Sequence, residues 1–173
     1  MRPLSGHYPP YFENYFRHVP DHADPLTQMR EQPAQLRELL GGLSDEQGLT
    51  AYAPGKWTIK ELVLHMLDTE RIFAYRALRF SRADATPLPG FEENEYVPNS
   101  GANGRTIPSL LREYDAIRQA SITLFENLTP AQLDRVGTSN GQALSVRALL
   151  HVIPGHEGHH LQILRERYLP VLA

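Results

Sequence analysis

His156-Glu157-Gly158-His159-His160, inside a helical run from Ser145 to Tyr168, decides how this chain is read. His156 and His160 are four apart, so on an α-helix they stack on one face, one turn above the other. That face continues through Leu149, Val152 and Ile153 on one side and Ile163 and Leu164 on the other. Two imidazoles therefore point into an apolar core. Each must find a partner there or stay unpaired at a cost of about 1–3 kcal/mol. One shared metal ion satisfies both.

A third ligand comes from the helix that Thr58-Ile59-Lys60-Glu61 opens as a capping box. Leu62, His65, Met66, Thr69, Ile72, Phe73 and Arg76 then share one face, so His65 also points inward. Three imidazoles without a carboxylate or thiolate suit Zn²⁺, Ni²⁺ or another late first-row divalent ion, with positions left for water or substrate. Such an open site is catalytic in style. Asp68, one turn beyond His65, either orients a ligand or bound water or forms an ion pair with a neighbouring helix. Glu70-Arg71 and Arg165-Glu166-Arg167 read as solvated faces. His159 lies about 100° round the helix from His160 and does not share its direction. His151 is off the line too, and His7, His18 and His22 fall in a polar arm.

Outward from these two helices, the spacing predicts two more. Asp24-Pro25 caps a run through Leu26, Met29, Leu36 and Leu40 that Gly41-Gly42 stops, with Pro33 predicting a kink. Thr106 caps a run whose inward face is Ile107, Leu110, Leu111, Tyr114, Ile117, Ser121, Leu124 and Phe125. Between helices, Ser44 to Gln47 and Thr129-Pro130 each start a short turn, and Gly137 to Gly141 reads as a loop. The segment 81–105 shows no helical period and reads as a long loop, either a lid over a site or a solvated crossover. Leu43-Ser44 to Trp57-Thr58 weakly repeats Leu128-Thr129 to Leu144-Ser145 in layout. Pro154 removes a backbone donor two residues before His156 and predicts a bend. The expected fold is all-α: residues 1–20 form an N-terminal arm with a short helix around Tyr11 to His18, and 21–173 form a single four-helix bundle.

Composition narrows the function. With 173 residues, a formal charge of −3 and pI near 6.2, the chain has no electrostatic footprint for nucleic acid or an anionic membrane. Its apolar runs are too short to span a bilayer, and the N-terminus lacks a signal-peptide core. A cytoplasmic location is expected. Zero cysteine excludes disulfides, thiolate metal sites and cysteine catalysis, so any nucleophilic thiol must come from a substrate or cofactor.

The pattern His156-Glu157-Gly158-His159-His160 also matches the HExxH zincin motif, with Glu157 as base. Zincins take a third ligand from further along the chain, only thirteen residues follow His160, and no HxxGxxH extension is present, which counts against a zincin. Pro54-Gly55-Lys56-Trp57-Thr58-Ile59-Lys60-Glu61 with His65 and Asp68, Pro87-Leu88-Pro89-Gly90-Phe91, Gly155-His156 with His159-His160-Leu161, and the closing Leu164 to Pro170 instead resemble the DinB-like superfamily. That resemblance implies a four-helix bundle, often a homodimer, with a three-histidine metal site falling on His65, His156 and His160. It also implies metal-dependent thiol transferases and isomerases that use low-molecular-weight thiols such as bacillithiol or mycothiol. The expected function is a metal-dependent enzyme activating a thiol or water against a small-molecule substrate. The alternatives are a non-catalytic, stress-associated metal-binding bundle and a bundle with three individually hydrogen-bonded histidines.

Overall fold

The computed structural model describes residues 1–172. Its helices, in chain order, are α1 (Glu13–Phe16), α2 (Pro25–Leu40), α3 (Ile59–Ser81), α4 (Glu93–Asn99), α5 (Ile107–Glu126), α6 (Pro130–Leu133) and α7 (Val146–Ile163). The four long ones begin where side chains relieve their free N–H groups: the Asp24 carboxylate and the Thr58, Thr106 and Ser145 hydroxyls each accept from the third helical residue. Glu61 completes the box by accepting from the Thr58 N–H at 2.8 Å.

The bundle has crossed connections. α3 packs on α5 and α7, and α2 also packs on α7 and α5, so the consecutive helices α2 and α3 face each other diagonally. Two apolar clusters fill the interior, one around Phe73, Phe80, Phe125 and Leu149, the other around Leu36, Ile59, Leu110 and Leu164. Between them lies a polar layer with one residue from each long helix: Gln32, Glu70, Arg118 and Glu157, all at most 6 % exposed. The N-terminal segment closes the first cluster, burying Phe12, Phe16 and Val19. Its α1 lies against α7, and Gly155 and Gly158 make that approach possible. A Cβ on Gly155 would sit 2.5 Å from the Tyr15 carbonyl oxygen, and one on Gly158 would sit 2.9 Å from His18 Cβ.

Two expectations need correction. The segment 81–105 is not devoid of regular structure: α4 forms inside it, with Glu92 accepting from the Asn94 N–H as its cap. Seven residues are fewer than two full turns, too few for an apolar period to show. Gly137 to Gly141 is not a plain loop either. β1 (Val136–Ser139) and β2 (Gln142–Ser145) pair antiparallel across Asn140-Gly141, both at positive φ. An Asn-Gly pair takes this turn readily, and it matches the twist of the strands it joins. Leu88 bridges to Ser139, tying segment 81–105 to this hairpin. No helix among the described residues is long and apolar enough to cross a membrane.

Candidate metal centre

α3 and α7 meet where their buried faces carry the three histidines. His65 Nε2 lies 3.1 Å from His156 Nε2, which lies 3.0 Å from His160 Nε2, and the three ligand atoms fall within 4.8 Å of one another. The contact between His156 and His160 is the direct result of their spacing on α7. His65 reaches them because α3 and α7 are neighbours.

Neutral imidazole offers one donor and one acceptor. The single Nε2 of His156 cannot serve two further Nε2 atoms as a partner for both. Burial reinforces the problem: it lowers the His65 pKa to about 4 and takes His156 and His160 well below their ordinary value, with the other two imidazoles adding to the shift at His156. Three uncharged rings with converging lone pairs are the donor set of a divalent cation. His160 Nδ1 is buried and has no hydrogen-bond partner within the protein.

Aromatic rings frame the cluster. Trp57 packs at a tilt against His65 with centroids 4.8 Å apart, and Tyr15 meets His156 edge-on at 5.2 Å. Trp57 is fixed from behind, because the Tyr168 hydroxyl donates to its carbonyl at 2.7 Å. Tyr168 ends a widened helical turn, Leu164–Tyr168, that continues α7. Beyond the rings a cavity of about 210 Å³ opens, with the three histidines in its lining along with Thr69, Arg76, Phe91, Glu93, Asn140 and Gln142. Gly90, Phe91 and Glu93 place segment 81–105 in the wall of that cavity.

Glu157 turns the other way. It accepts from the Tyr114 hydroxyl at 2.7 Å and is ion-paired with Arg118. Arg118 also binds Glu70 at 2.8 Å, the Met29 carbonyl at 3.1 Å and Gln32 Oε1 at 3.1 Å. The residue that would be a zincin base is thus committed to the polar layer. Glu70 is correspondingly not on a solvated face, as its sequence neighbours suggest; it is 6 % exposed and fully paired. Arg118 was not anticipated from the sequence, although it sits four residues from both Tyr114 and Ile122, on the buried face of α5. Asp68 meets Arg71 at 3.4 Å, and Arg71 reaches Glu113 on α5 at 2.5 Å. Its partner in the structure is a cation rather than a histidine. His151 bonds the Arg147 carbonyl at 2.9 Å, apart from the cluster, and His159 meets Tyr15 edge-on and packs at a tilt against His18.

Known proteins are similar to this chain over most of its length. A protein of Geobacillus thermodenitrificans (strain NG80-2) named "Putative metal-dependent hydrolase" is 29 % identical over 147 residues, 82 % of this chain and 83 % of that protein. A similarly named protein of Oceanobacillus iheyensis is 28 % identical over 139 residues, 79 % of each. In structure, YfiT from Bacillus subtilis, described as "a probable metal-dependent hydrolase with an unusual four-helix bundle topology", superposes with a TM-score of 0.74 at 16 % identity, covering 99 % of this chain and 93 % of that one. The family profile of the DinB superfamily matches residues 28–164, from within α2 to the end of α7, and the chain belongs to that superfamily.

Proposed function

We propose that His65, His156 and His160 together hold one divalent metal ion, and that the chain is a metal-dependent enzyme acting on a small molecule in the adjoining cavity. The observation that carries this reading is the convergence of three buried Nε2 atoms within 4.8 Å. The names of the curated relatives agree with it. When bound, such an ion supplies Lewis acidity and makes a coordinated water or thiol a stronger acid near neutral pH. The chain's own residues do the rest. Tyr15, Phe73 and Trp57 keep bulk water from the imidazoles, while Asn140, Gln142 and Glu93 offer polar contacts in the cavity wall. A purely structural metal site would be closed by protein ligands. Here the cavity leads to the three rings, which favours turnover over a non-catalytic role.

With Glu157 committed to Arg118, the ion alone would have to acidify the nucleophile, and this favours the thiol. A thiol bound to a divalent ion such as zinc is deprotonated outright, whereas a bound water is brought only to a pKa of about 7. With no cysteine in the chain, that thiol would be a second small molecule.

The test is metal content of purified, untagged protein beside the His156→Ala/His160→Ala double variant. About one Zn²⁺ or Ni²⁺ per chain, lost in the variant, is expected. If both proteins stay metal-free after reconstitution with either ion, the reading fails. Turnover of an electrophile panel with and without added thiol then separates transfer from hydrolysis.

A further inference from the structure

We propose that Arg76 binds a carboxylate of the molecule that occupies the cavity, making that molecule a small organic monoanion. The proposal rests on the cavity being the substrate site, as argued above. Arg76 is 7 % exposed, yet among the described residues no carboxylate pairs with it. Its one hydrogen bond runs from Nη2 to the Pro89 carbonyl at 3.0 Å, and its guanidinium lies 5.7 Å from the Phe91 ring. Four of its five N–H donors are therefore unused by the protein.

The contrast with Arg118 gives this observation its weight. A buried cation is costly unless it is paired. The fold meets that cost at Arg118 with two glutamates, a glutamine and a main-chain carbonyl. At Arg76 it supplies one neutral carbonyl and a cavity. Thr69, two turns earlier on the same face of α3, lines the same cavity with its hydroxyl buried and without a partner. Two polar groups on one wall thus await the same ligand. His65 lies a further turn along that face, so a molecule anchored at Arg76 points its other end toward the imidazoles.

A carboxylate fits better than a phosphate. Arg76 is the one arginine or lysine in the lining, and Glu93 in the same lining repels a doubly charged phosphate more than a single carboxylate. The aromatic lining of Tyr11, Phe73 and Phe91 favours an apolar body behind it.

The experiment is calorimetric titration of the purified protein with 3-phenylpropionate, its neutral amide and inorganic phosphate. Wild type, Arg76→Gln, Arg76→Lys and the His156→Ala/His160→Ala double variant are compared. The acid is expected to bind wild type, to weaken by about tenfold or more in Arg76→Gln, and to recover in part with Arg76→Lys. Amide binding should be unchanged in Arg76→Gln and Arg76→Lys, and the double variant should keep its preference for the acid over the amide. Equal acid affinity in wild type and Arg76→Gln overturns the proposal. So does a parallel loss of acid and amide, which would make Arg76 a support for the Pro89 to Phe91 segment. Acid binding lost in the double variant but kept in Arg76→Gln also overturns it, while leaving the metal reading intact. Absence of acid binding by wild type at roughly 10 mM, or tighter Arg76-dependent binding of phosphate, refutes the carboxylate assignment. Arg76-dependent acid binding in a protein that never takes up metal would sustain this proposal and sink only the metal reading.

Discussion

The indole of Trp57 lies 4.8 Å from the imidazole of His65, centroid to centroid, at a tilt of 44°. Trp57 is the chain's sole tryptophan, so intrinsic tryptophan fluorescence reports on one wall of the histidine cluster and nothing else. Titration of metal-free protein with Ni²⁺ or Co²⁺ should quench that emission by more than about half at saturation, since an open-shell ion held by His65 sits next to the ring. Zn²⁺ should displace the quencher and restore the signal. Emission in the His156→Ala/His160→Ala variant should not respond at the same ion concentrations. Equal quenching in both proteins would place the ion elsewhere.

Arg118 is the most consequential residue outside the cluster. Its replacement by methionine keeps the apolar bulk but leaves Glu70 and Glu157 buried without their cation, and should cost about 3–5 kcal/mol of stability. Urea unfolding with a shared m-value measures this. Glu157→Gln, which retains a hydrogen-bond acceptor for Tyr114 and Arg118, should cost less. A smaller loss in Arg118→Met than in Glu157→Gln would mean the layer is held together differently.

Acid should weaken the metal-free protein in a defined window. Burial lowers the folded-state pKa of His65 to about 4, does the same at His151, and holds His156 and His160 well below the ordinary value of 6.5. The unfolded chain therefore binds more protons than the folded one between these limits. Stability is fully present above about pH 6.5 and falls as pH drops toward 4, by up to about 1.4 kcal/mol per group for each pH unit in that interval. Urea midpoints at pH 7.5, 6 and 5 should decline in that order, with a shallower slope for His156→Ala/His160→Ala. A profile without slope would mean that water reaches the rings.

Gly155→Ala should loosen the N-terminal segment. The added Cβ would meet the Tyr15 carbonyl at 2.5 Å, and main chain cannot swing aside as a side chain can. A loss of about 1–3 kcal/mol is expected, with faster chymotryptic cleavage at Tyr11 to Phe16. Gly158→Ala should do less, because its nearest neighbour is His18 Cβ, on a residue whose ring is partly exposed. Equal sensitivity at the two positions would show that α1 does not lie against Gly155 in solution.

The caps and periods of the four long helices are local properties, which is why Asp24, Thr58, Thr106 and Ser145 could be read directly and appear in the structure as N-caps. The histidine cluster was legible for the same reason: one pair is four residues apart on a single helix, and His65 shares a face with Leu62 and Phe73. What resisted reading was charge inside. An amphipathic pattern sends Glu70 and Arg118 outward by type, and only their positions, four residues from Met66 and from Tyr114, argue otherwise. The Asn140-Gly141 turn does carry a local signal, an Asn-Gly pair suited to positive φ at both positions. The diagonal placement of α2 against α3 is a property of packing between distant segments, and no local pattern encodes it.

The layer of Gln32, Glu70, Arg118 and Glu157 acts as an alignment mark for the whole bundle. Sliding α5 by one turn would put Tyr114 or Ile122 at the level of Arg118 and leave two carboxylates facing each other in the dark of the interior. Leucines and phenylalanines on either side tolerate such a slip far better, because one apolar contact replaces another. Since α7 carries Glu157 between His156 and His160, fixing its level against α5 also fixes how high those rings stand relative to α3. The tolerance to which three nitrogens meet is thus set by an arginine that touches none of them.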